Sequence, residues 1–80
     1  MITYKLYYGT KSLGAFQDTE QLIIALDYII LNRVLSSPVM VVKHYSDIDT
    51  DEPNFLFKPE DDLLKYYDYR QSFIENKKTL

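Results

Sequence analysis

The chain has 80 residues, a net charge of −3 and an apolar fraction of 46%, which is the scale and make-up of one folded domain rather than a disordered segment. It contains no cysteine, so disulfides, thiolate metal sites and cysteine nucleophiles are excluded, and a reducing cytoplasm suits it. Charge is unevenly spread: residues 1–46 carry four basic and three acidic side chains, residues 47–80 five and nine. The acidic second half repels phosphates, which argues against direct binding of nucleic acid.

The opening MITYKLYYGTK lacks the basic region and apolar run of a signal peptide. The longest apolar run is interrupted by Asp27 and falls short of the ~20 residues a membrane-spanning helix needs, so a soluble protein with no membrane partner is expected. Ile, Lys, Tyr and Asp are favoured over Ala and Gly, a usage shared with AT-rich genomes and their phages.

In chain order, Ile2 to Tyr8 alternates in the manner of a strand, Gly9 to Ser12 makes a connection, and Leu13 to Gln17 returns as a second strand. Asp18 caps a helix, with Gln21 three residues on to complete a capping box. This helix runs to about Leu35 and carries ten aliphatic side chains in the fourteen positions from Leu22. Pro38 follows, and Val39 to Tyr45 forms a third strand, apolar on both faces at its start as an inner strand covered on both sides would be. Residues 46–54 read as a polar loop, and Phe55–Phe57 is long enough only for a short fourth strand. A second helix opens with Pro59 and the acids Glu60, Asp61 and Asp62, runs to about Asn76, and ends near Lys77 and Lys78. The order ββαβ(β)α predicts an α+β fold: an N-terminal hairpin, a long buried helix, and a small antiparallel sheet covered by helices. The sequence shows no internal repeat.

Angles of 100° per residue divide the first helix into stripes. Leu22, Ala25, Leu26, Ile29 and Ile30, with Ile23 and Val34 at a margin, make the face that should lie on the sheet. Glu20 and Asp27 mark one polar edge, Gln21 and Asn32 another. Between these edges lies a second apolar stripe, Ile24, Tyr28, Leu31 and Leu35. The second helix is expected to cover it; failing that, a second copy or another partner would, because exposed apolar patches mark interfaces.

The acids Asp47, Asp49, Asp51, Glu52, Glu60, Asp61 and Asp62 could together present a negative patch to a basic protein groove. Tyr66, Tyr69, Arg70 and Phe73 form an aromatic face that core packing with half-exposed tyrosines accounts for first, and that is also rich in the residue types of interface hot spots. Asp47-Ile48-Asp49-Thr50-Asp51 opens like a calcium loop, but Glu52 stands where the turn glycine belongs and Lys58 where the bidentate glutamate belongs, so no metal is expected. His44 is the single histidine, no glycine loop could cradle a phosphate, and no pair of tuned acid–base groups is visible. No cofactor is expected. The resulting expectation is a small, non-enzymatic protein-binding module of phage or mobile-element type, an inhibitor acting through the acidic and tyrosine-rich surface. The alternative is a homodimer joined through the outer stripe of the first helix.

Overall fold

The computed structural model describes residues 1–32 and 35–78, with side chains up to residue 73. Its elements are β1 (Ile2–Tyr8), β2 (Lys11–Phe16), α1 (Thr19–Asn32), β3 (Val39–Tyr45), β4 (Thr50–Phe57) and α2 (Leu63–Lys78). The strands form one antiparallel sheet in the order β2-β1-β3-β4, the α+β architecture expected from the sequence.

The hairpin β1–β2 turns on two residues, Gly9 and Thr10, because Tyr8 already pairs with Lys11. Gly9 takes φ +60°, which a residue with a Cβ adopts at a cost, and its N–H donates to Pro38 O at 2.8 Å. The pairing slips between Leu6 and Tyr7, leaving Leu13 as an extra residue on the edge strand β2. Tyr8 ties this end of the hairpin to the α1–β3 connection: its hydroxyl accepts from Ser36 N at 3.0 Å and lies 3.1 Å from Ser36 Oγ.

Two element boundaries differ from the sequence reading, each for a local reason. The fourth strand is eight residues long rather than three: β4 starts at Thr50, and Ser46–Asp49 make a tight connection with Asp49 at φ +47°. Polar Asp51 and Glu52 and the imino acid Pro53 mask this strand in the sequence. An edge strand tolerates all three, since Pro53 needs no partner on its outer side. The second helix begins at Leu63 and not at Pro59. Asp61 Oδ2 accepts from Lys58 N at 2.8 Å, closing a turn ahead of the helix, and Asp62 caps the helix by accepting from Leu64 N at 2.9 Å. The first helix is described as far as Asn32, and Leu35 lies outside it. Val34 and the side chains of Asn76, Lys77 and Lys78 lie outside the described residues.

Both helices pack on the same face of the sheet, α1 against β2 and α2 against β4. The core between the layers consists of Tyr4 and Leu6 of β1, Val39 and Val41 of β3, Phe57 of β4, Leu22, Leu26, Ile29 and Ile30 of α1, and Tyr66 of α2. The sheet-facing stripe read from the sequence is thus the buried one, with Ala25 packed at its edge. β3 is an inner strand, as expected, but is covered on one side only: Met40 and Val42 point to the outer face and stay half-buried.

The chain is two ββα units of the same connectivity. With β1 and β3 antiparallel at the centre, an approximate two-fold relates β1-β2-α1 to β3-β4-α2. Both helices are capped alike: Asp18 Oδ1 accepts from the N–H two residues on, Glu20, at 2.8 Å, and Asp62 does the same for Leu64. Counting from each cap, Leu22, Ala25, Leu26 and Ile29 of α1 correspond to Tyr66, Tyr69, Arg70 and Phe73 of α2. The repeat is topological, and the matched helix residues share little beyond the capping aspartates.

Candidate interaction surface

The two flanks of α1 have different environments. On one side, Asp27 meets α2. Its carboxylate accepts from the Tyr66 hydroxyl and from Arg70, with Nε at 3.1 and 3.3 Å from the two oxygens and Nη2 at 3.2 Å from Oδ2. Burial pushes the Tyr66 hydroxyl far above the usual tyrosine value, helped by the hydrogen bond to Asp27; the bond to Asp27 likewise raises the Arg70 guanidinium. This junction fixes how the helices sit side by side, and the lone acid inside an apolar run is its centre.

The aromatic residues of α2 are absorbed by the same packing. Tyr66 is fully buried, so it cannot be a contact residue on the surface. Tyr69 stacks on Phe55 with centroids 4.1 Å apart and planes 5° from parallel, and its hydroxyl donates to Asn54, the extra residue at the β4 slip. Burial raises its hydroxyl as well. Phe73 meets the edges of Tyr69 and Tyr4, at 4.9 and 5.9 Å. With Arg70 directed at Asp27, the expected aromatic contact face is instead the underside of α2.

The acidic residues do not form one patch. Asp47, Asp49, Asp51 and Glu52 belong to the β3–β4 hairpin end, whereas Glu60, Asp61 and Asp62 follow the far end of β4. With a rise of ~3.3 Å per strand residue the groups stand about 20 Å apart. Several are also engaged locally. Asp47 lies 3.4 Å from the N-terminal ammonium, Asp61 accepts from Lys65 Nζ at 3.1 Å, and Asp62 is the α2 cap. His44 Nδ1 donates to Asp51 Oδ1 at 2.7 Å, and Lys5 Nζ lies 3.5 Å from the same oxygen. The hydrogen bond from His44 holds the Asp51 carboxyl below its usual range. The second ring nitrogen of His44 faces Asp49 at 3.7 Å, so both nitrogens are directed at carboxylates of the hairpin.

The other flank of α1 stays open among the described residues. Ile24 is 61% exposed, Tyr28 59% and Leu31 41%, while Leu35 turns inward and packs against the core. The expectation that α2 would cover this stripe is therefore wrong. The helix-to-helix contact runs through Asp27, about 60° round the helix from Ile24 and about 100° from Tyr28. Between the stripe and β2 lies an open apolar groove of about 430 Å³, lined by Leu6, Leu13, Phe16, Ile24, Ala25, Tyr28 and Ile29. Leu13, the extra residue of β2, is 40% exposed beside it. Nothing in the sequence announces this slip, which is what adds Leu13 to the surface.

Among the described residues no three His, Asp or Glu side chains are grouped to hold a metal ion, and no helix is long and apolar enough to cross a membrane. Comparison with protein-family models, curated proteins and solved structures returns no match to this chain.

Proposed function

We propose that the chain is a non-enzymatic protein-binding module whose contact surface is the flank of α1 beside β2. A single comparison inside the molecule supports this reading. Six and ten residues after its capping aspartate, α1 carries Ile24 and Tyr28; at the same two positions α2 carries Asp68 and Ser72. All four are exposed. The fold therefore places no demand for apolar side chains there, and water favours polar ones. Large apolar residues concentrated on a solvent-facing helix stripe, beside an apolar groove, have the character of a protein interface. Among the described side chains of α2, Leu63, Leu64 and Tyr67 are also exposed, all at its start, whereas the α1 stripe runs from Ile24 to Leu31.

The reading gives the acids and tyrosines structural work and moves the contact to the alternative surface that the sequence offered. A cysteine-free chain of this size suits a reducing cytoplasm as its place of action. The test is a photo-crosslinking amino acid placed at Tyr28, with the same group at Ser72 as control, in cells that express the protein. Adducts to protein at position 28 and not at position 72 are expected. Equal labelling at both positions, or none at 28, contradicts the reading.

A further inference from the structure

We propose that the occupant of this surface is a second copy of the chain, its α1 lying antiparallel to the first about a two-fold axis at Tyr28; this rests on the protein-binding reading above. Spacing is the first argument. Ile24, Tyr28 and Leu31 follow the four-three interval of a helix–helix seam, and the reversed stripe matches itself to within one residue: with Tyr28 beside the partner's Tyr28, Ile24 and the partner's Leu31 lie one position from level.

Charge selects the direction. On its β2 side α1 has the acidic Asp18 at its N-terminal end. Lys11 lies at the other end of the same flank. It pairs with Tyr8 on the helix-bearing face of the sheet, and Tyr8 is hydrogen-bonded to Ser36 just beyond α1. An antiparallel pair brings each Lys11 toward Asp18 of the other copy, whereas a parallel pair sets Asp18 against Asp18 at one end.

Size and sheet edges agree with this. The exposed fractions of Ile24, Tyr28, Leu31 and Leu13 amount to on the order of 400 Å² of side chain, for large residues of roughly 150–250 Å² each. That is about half of the ~800 Å² a partner contributes to a standard interface, the usual apolar centre with a polar rim to complete it. Pairing through the sheet is disfavoured at both edges, since β2 has its slip at Leu13 and β4 has Pro53 and a slip at Asn54.

The native chain has no cysteine, so single cysteines report contacts against a clean background. Purified protein in a sedimentation series is expected to move from the mass of one chain to that of two as concentration rises. Under mild oxidation, Ile24→Cys mixed with Leu31→Cys is expected to form a covalent dimer of the two variants, with little from either alone. Both sites are exposed, and circular dichroism checks that each variant is folded. Crosslinking of Ile24→Cys with itself as fast as with Leu31→Cys overturns the antiparallel geometry. A strict monomer at every concentration, together with a Tyr28 photo-adduct to a different protein, overturns the second copy and leaves the protein-binding reading standing. A strict monomer without any adduct overturns both.

Discussion

The two ββα halves share connectivity, helix caps and one irregular step in each hairpin, yet they spend their residues differently. At matched sheet-facing positions α1 uses Leu22, Ala25 and Ile29, while α2 uses Tyr66, Tyr69 and Phe73; opposite Leu26, Arg70 pairs with Asp27. Both sets close the layer, because burial depends on the amount of apolar surface removed from water and not on its identity. At matched outward positions the halves diverge in the opposite sense, with Ile24 and Tyr28 against Asp68 and Ser72. The comparison separates what the fold requires from what it leaves free, and the apolar flank of α1 belongs to the second class.

The largest effects should follow loss of the matched core residues. Tyr66→Ala is expected to cost about 3–5 kcal/mol and Leu22→Ala about 2–5 kcal/mol in urea unfolding, as buried large-to-small changes do. A variant of either that unfolds at the wild-type midpoint would break the equivalence of the halves. Next comes the junction that joins them. Asp27→Ala leaves the buried Tyr66 hydroxyl without its acceptor, at about 1–3 kcal/mol, and a double-mutant cycle with Arg70→Ala should show non-additivity. Strict additivity would mean that Asp27 and Arg70 act independently. The two caps should then behave as twins: Asp18→Ala and Asp62→Ala at about 1 kcal/mol each, and additive in combination because they sit on different helices.

The smallest effect lies at the β3–β4 hairpin and is read through pH. Asp51 is held below its ordinary value of 3.8 in the folded protein, first by the hydrogen bond from His44. A lowered carboxylate stabilises the fold above its unfolded value, and that contribution fades as pH falls below 3.8 through the folded value. Asp51→Asn should therefore lower stability slightly at neutral pH, flatten the acid limb of the profile, and converge on the wild type at the acid end, where Asp51 is protonated. An unaltered acid limb would show that the His44–Asp51 bond does not form in solution.

Much of this architecture was legible because α1 writes its environment in its periodicity. Leu22, Leu26, Ile29 and Ile30 announced the core face, and Asp18 announced the cap. β4 was legible only at Phe55–Phe57, because an edge strand answers to its pairing and tolerates Asp51, Glu52 and Pro53 without an apolar signal. The acids before α2 resembled a first turn, but Asp61 closes a preceding turn and only Asp62 reaches the helix, a distinction that lies in backbone geometry. The outer stripe was visible as a pattern, yet its fate was not: which flank of α1 receives α2 depends on Asp27 finding Tyr66 and Arg70, a contact some forty residues distant in sequence. The aromatic face was misread for the same reason, since residue types common at interfaces are equally common in cores.

The central claim is that the Ile24–Tyr28–Leu31 flank of α1 is a contact surface and not an accident of composition. Sedimentation of the wild type, Ile24→Asp and Ser72→Asp over one concentration series tests it most directly. The wild type and Ser72→Asp are expected to associate alike, and Ile24→Asp to remain a folded single chain with stability within about 0.5 kcal/mol of wild type, as an exposed substitution should. Association undiminished in Ile24→Asp, or lost equally in Ser72→Asp, would contradict the account.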